Sequence, residues 1–166
     1  MLEPPHDHDH GEKPENGPEL NERGRERAAA LVPLFTHDER MLEHGPAAAI
    51  FAMRPHGKRG SVRAIQTMEP TAKALHFASD THLTRDEIAP LVRAIVTAPA
   101  CAGKTVIVCW EHDVIPGMLK AFGWTGGPTH WPGSSYDRLW VLDFENGKPV
   151  RFRDLPQKLL SGDKAK

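Results

Sequence analysis

Residues 105–113 read Thr-Val-Ile-Val-Cys-Trp-Glu-His-Asp, and the change of character within this stretch decides the fold class. The first six are apolar on both faces of an extended chain, the pattern of a strand covered on both sides, as in parallel sheets flanked by helices. The run then breaks into Glu111, His112 and Asp113, three titratable groups at the carboxyl end of the strand. Ligands of parallel α/β sheets collect at that end.

The neighbouring segments fit such a sheet. Upstream, Thr84 and Glu87 have the spacing of a capping box ahead of Ile88, Leu91, Val92, Ile95 and Val96, which predicts an amphipathic helix. Residues 47–53 form a second short apolar run after Gly45-Pro46, and it delivers a basic, Gly-rich loop at 54–60. Ser61 can cap a helix running toward Leu75, with Pro70 kinking it or opening a second helical piece. Asn21 caps a helix over 22–35, whose Ala28, Leu31, Val32 and Phe35 share one face opposite an Arg-rich one. Downstream, 114–122 reads as a short helix ending at Gly123, and 124–135 as a Gly/Pro-rich loop. Asn146-Gly147 joins 136–144 and 150–153 into a hairpin. Strands alternating with helices predict a layered α/β sandwich with a mostly parallel sheet.

The chain has the length of one domain, 166 residues. Its 21 basic and 22 acidic residues nearly cancel, so no global field draws it to nucleic acid or to an anionic membrane. No apolar run reaches the roughly 20 residues of a membrane span. The polar start lacks the core of a signal peptide, so the chain reads as soluble and cytoplasmic, although a processed or mis-called start has the same look. Cys101 and Cys109 are too few for a disulfide framework and read as small core residues in a reducing compartment. The expected organisation is a polar His/Asp/Pro-rich arm at 1–19, an α/β domain at 20–155 and a polar tail at 156–166.

The chemistry concentrates at the two strand-end loops. Arg54, Lys58, Arg59 and Arg63 stand on one side, and His112 between Glu111 and Asp113 on the other. Guanidinium groups match phosphate oxygens in a fork, and a helix start near Ser61 adds oriented amides. Alone, the basic loop reads first as solvated surface.

In chain order, four stretches resemble the histidine phosphatase superfamily, the phosphoglycerate mutase-like fold. They are His10-Gly11-Glu12-Lys13-Pro14, the segment from Leu20 through Gly24 to Ala30, Arg63-Ala64-Ile65-Gln66-Thr67 continuing to Glu69-Pro70, and Val106 to His112. The later motifs Cys109-Trp110-Glu111-His112, Ile115-Pro116, Trp131-Pro132 and 136–144 look like a small bacterial subgroup of that superfamily. The resemblance implies a three-layer sandwich and phosphomonoester hydrolysis in two steps through a phosphohistidine, with no cofactor and no metal. It implies His10 as nucleophile, Arg63 as phosphate clamp with Arg59 and Arg54 beside it, and His112 as a stabiliser of charge on the phosphoryl oxygens. Asp113 is the first candidate for the acid that protonates the leaving oxygen, and Glu111 the second.

The superfamily opens with an apolar strand leading into Arg-His-Gly. Here Asp9 stands in the arginine's place and the first strand is missing or atypical. A carboxylate beside a dianion opposes its binding. Three readings follow: a start that is too late or altered, a gap paired by another chain as in a homodimer, or a phosphate-binding relative without turnover. The expected partner is a small phosphorylated molecule or inorganic phosphate. A separate reading takes His6, His8 and His10, alternating with Asp7 and Asp9, as a metal-binding arm, against the plainer one of a flexible polar segment. The remaining histidines show no ligand spacing, with His56 expected at a pocket rim.

Overall fold

A computed structural model describes residues 1–4, 18–57 and 60–166. The chain is a mixed α/β protein in the order α1 (Glu22–His37), β1 (Ala47–Ala52), α2 (Arg63–Leu75), α3 (Ile88–Thr97), a 3-10 turn (Pro99–Cys101), β2 (Thr105–Cys109), α4 (Ile115–Ala121), β3 (Arg138–Glu145) and β4 (Lys148–Pro156). No helix among the described residues is long and apolar enough to cross a membrane.

β1 and β2 pair in parallel, with Ile50 opposite Ile107 and Ala52 opposite Cys109. The segment after α2 runs beside β1 in the same direction through bridges of Asp80 to Phe51 and Thr84 to Arg54. β3 and β4 form the expected antiparallel hairpin. Asn146 and Gly147 have φ of 50° and 77°, the pair of positive angles a two-residue hairpin turn requires.

Met1–Glu3 join these pieces, and here the expected polar arm needs correction. The Leu2 N–H donates to Val108 O at 2.8 Å and the Trp110 N–H to Leu2 O at 2.9 Å, while Met1 exchanges hydrogen bonds with Trp140 of β3. Leu2 is thus a one-residue parallel bridge beside Cys109, and its side chain is buried. Its apolar side chain fills core space, and its backbone N–H and carbonyl both find partners on the β2 side, while Met1 meets β3. Beyond Met1 the gap between β2 and β3 continues as a cavity of about 490 Å³, lined among others by Val106, Ile107, Val141 and Leu142.

Several local expectations hold. Asn21 accepts the Gly24 N–H at 2.8 Å as the cap of α1. Glu87 takes both the Thr84 N–H and its hydroxyl, closing the turn before α3. Two others are corrected: Pro70 lies within a single continuous α2 and opens no second helical piece, and the N-cap of α2 is Val62, not Ser61. Ser61 lies just outside that helix and accepts the Arg63 N–H, while its hydroxyl donates to Pro18 O.

Two features differ from the reading of the sequence. Arg27 does not share the solvated side of α1: it is buried and pairs with Asp163 at 2.6 Å. The segment 156–166 is polar in composition yet packs down, with Gln157 buried and its amide donating to Arg138 O. Arg27, placed at a buried position of α1, supplies the charge that holds this end.

Candidate functional site

Four chain segments run in parallel and end together. The parallel pairing sets Arg54 after β1, Arg85 after the 80–84 segment, Glu111 and His112 after β2, and Glu3 after Leu2, all at the carboxyl end of the array. The start of α2 closes the far side with Gly60, Ser61 and Arg63. Between them lies a cavity of about 410 Å³ lined by these residues together with Pro4, Pro18, Met53, Pro55, His56 and Asp86.

Arg63 is the first residue of α2, and its Nε donates to Glu19 O at 3.0 Å. Residues 18–20 are drawn against the same helix turn, since the Leu20 N–H donates to Gln66 Oε1 at 2.8 Å. Gly60 makes the turn into α2 possible, because a Cβ there would come within 2.4 Å of the His56 backbone nitrogen.

His112 sits between two neighbours. Its Nδ1 lies 2.6 Å from Oε1 of Glu3. A Cβ at Gly133 would fall 3.0 Å from its Nε2. Burial above all, and then the charges of Glu111 and Asp113, push the Glu3 carboxyl up to about 9, against the opposing pull of the His112 backbone N–H and Arg63.

Arg85 organises the acidic groups beside the site. Its Nε donates to Glu111 at 2.6 Å, Nη1 to Asp86 at 2.8 Å, and Nη2 to Asp113. Its own position is fixed by the Trp110 indole N–H, which donates to Arg85 O at 2.8 Å. The segment after β2 that carries His112 thus also holds, through Trp110, the arginine that partners its flanking carboxylates.

Of the residues singled out from the sequence, Arg54, Arg63, Glu111 and His112 line this one cavity, and His56 joins them as the expected rim group. Asp113 does not line it and is engaged by Arg85. His10 and Arg59 lie outside the described residues, as do Lys58, His6, His8, Asp7 and Asp9. Glu3 and Arg85 were missed. Nothing in the order Leu2-Glu3-Pro4 marks a site, whereas Arg85 follows Thr84 at a capping turn and a basic residue there could have been noted.

Elsewhere, Glu43, His44 and Asp143 bring ligand atoms within 4.8 Å of one another. Arg151 and Arg153 bond both carboxylates, so the cluster reads as an ion-pair network. Cys101 and Cys109 are buried free thiols, and burial raises both above the usual thiol range.

A scan against protein-family models gives no match, and a search of curated proteins gives none. The fold and site therefore define a class in physical terms: a mixed α/β chain with an arginine- and histidine-lined cavity at the carboxyl ends of its parallel segments.

Proposed function

We propose that this cavity binds the phosphoryl group of a small phosphomonoester, or inorganic phosphate, and that the chain hydrolyses such esters through a phosphohistidine. The observation that carries the reading is the convergence of Arg63 and His112, from distant parts of the chain, on one cavity. Arg63 and Arg54 supply guanidinium donors for the non-bridging oxygens, and His112 adds a ring donor as charge builds on them. His10 attacks phosphorus, the ester oxygen leaves with a proton, and water then cleaves the N–P bond to release phosphate. Glu111, which lines the cavity, is better placed than Asp113 to protonate the leaving oxygen. Parallel strands with their ends gathered at the cavity fit a phosphoglycerate mutase-like sandwich. A reducing, cytoplasmic setting fits the two free thiols.

A second reading, phosphate binding without turnover, draws on the carboxyl groups of Asp86 and Glu111 in the cavity wall, which work against a dianion. Hydrolysis of p-nitrophenyl phosphate separates the two. The hydrolase reading predicts turnover that persists in a metal chelator, falls at least about 100-fold in Arg63→Ala and in His112→Ala, and passes through an acid-labile adduct on His10. Turnover unchanged in both variants discards the site. Absent turnover with a rise in Tm on adding phosphate favours the binding protein.

A further inference from the structure

Glu3 is the least expected group in this site. The backbone of Leu2, bonded to Val108 and Trp110, delivers the carboxyl to the cavity wall, where the residue is 2% exposed. The carboxyl meets His112 twice, accepting its backbone N–H and lying 2.6 Å from its Nδ1. With Nδ1 engaged, the ring can offer an anion in the cavity only Nε2, on its opposite edge beside Gly133.

We propose that Glu3 is the positioning residue of this site: Glu3 and His112 share one proton, and holding it keeps a hydrogen on Nε2 of His112 to grip a bound oxyanion. The proposal rests on the phosphate-pocket reading above. With one proton between them, the pair is either a neutral acid donating to a neutral imidazole or a carboxylate accepting from an imidazolium. Both arrangements carry a hydrogen on Nε2. Once the proton is gone, ionised Glu3 holds the remaining ring hydrogen on Nδ1, and Nε2 turns a lone pair toward the anion. The pair is then an alkaline release.

The surroundings set where release falls. Glu111 and Asp113 of the strand-end loop add negative charge at Glu3, and Asp86 lines the cavity nearby. Arg63 of α2, Arg85 after the 80–84 segment and Arg54 of the loop after β1 are the cations of the cavity wall, with His56 lining it too. On the β2 side the neighbours are the Met1 amino group and the Cys109 thiol. Burial together with the acidic neighbours holds the proton on the Glu3 carboxyl through neutral pH, with its pKa pushed up to about 9.

The test is calorimetric titration of the full chain with sulfate, a dianion across the whole range, from pH 7 to 10.5. Wild type should bind with constant affinity to about pH 8.5 and lose about tenfold by pH 10.5, the worth of one charge-assisted hydrogen bond. Glu3→Gln, whose amide N–H donates to Nδ1 and has no proton to lose, should bind within about threefold of wild type at pH 7.5 and show no alkaline fall. Glu3→Ala should bind about tenfold more weakly at pH 7.5. An alkaline fall in Glu3→Gln equal to that of wild type, or undiminished binding by a folded Glu3→Ala, overturns the proposal. Arg63→Ala separates the two levels. If it abolishes binding while the Glu3 variants behave as wild type, only the role of Glu3 is lost. If it binds as wild type does, or if wild type takes up no sulfate, the anion pocket itself is wrong.

Discussion

Arg27 and Asp163, 136 positions apart in the chain, make a two-point ion pair, with Nη2 2.6 Å from Oδ1 and Nη1 3.0 Å from Oδ2. The same Asp163 oxygen accepts the N–H groups of Leu159 and Leu160, and Arg27 reaches on to Gln157 Oε1 at 2.9 Å. The two side chains are only 6% and 3% exposed. A polar terminal segment is thereby fastened to the first helix.

Removing one partner from such a pair strands a buried charge, so Asp163→Ala should cost about 3 kcal/mol. Burial raises Asp163, but the hydrogen bonds from Arg27, Leu160 and Leu159 outweigh it and hold the carboxyl down at about 2. The folded value is below the ordinary 3.8, so the stabilisation is complete above about pH 4 and disappears as pH falls toward 2. Urea midpoints of wild type and Asp163→Ala should differ at pH 6 and converge near pH 2.

Glu3 has the opposite sign. Its folded value of about 9 exceeds the 4.5 of an ordinary Glu, so the folded state binds the proton more tightly and stability falls as pH rises between those values. Glu3→Gln should therefore gain stability relative to wild type from pH 5 to 9, by at most about 1.4 kcal/mol per pH unit. The Met1 amino group, lowered by burial to about 6, works the other way between pH 6 and 8, but it does so in both proteins and cancels in the difference. A gap that does not widen with pH would show that Glu3 ionises freely.

Gly133→Ala places a methyl 3.0 Å from Nε2 of His112 and 3.3 Å from Cε1. The ring, which lines the cavity, must move by a few tenths of an ångström. Phosphate affinity should fall several-fold with a much smaller change in Tm than Asp163→Ala produces. A large loss of stability with affinity intact would make Gly133 a packing residue only.

Arg85 partners Glu111, Asp113 and Asp86 beside the cavity. Arg85→Ala leaves those carboxylates without their shared cation and should weaken phosphate binding about tenfold at low salt, less at high salt. Equal affinity in the variant and wild type would show that the carboxylates do not reach the anion.

Much of this was legible in the sequence where the signals are local. The Asn21 cap, the Asn146-Gly147 turn and the apolar runs that became β1 and β2 each rest on residues a few positions apart. Their lengths and directions then place Arg54, Arg63, Glu111 and His112 together. What escaped depends on partners far along the chain. Met1 and Leu2 are two apolar residues ahead of a polar, Pro-rich stretch, and their slot is made by Val108, Trp110 and Trp140. Arg27 looked like one of several arginines on a helix surface until Asp163 closed on it. Arg85 is a site residue only because the 80–84 segment lies beside β1.

The central claim is that Arg63 and His112 hold one oxyanion between them. Its most direct measurement is titration calorimetry of inorganic phosphate into wild type, Arg63→Ala and His112→Ala at pH 7.5. One site should appear in wild type, with affinity at least about tenfold lower in each variant while both keep the wild-type circular dichroism spectrum. Equal affinities in all three, or no phosphate uptake by wild type, would contradict it.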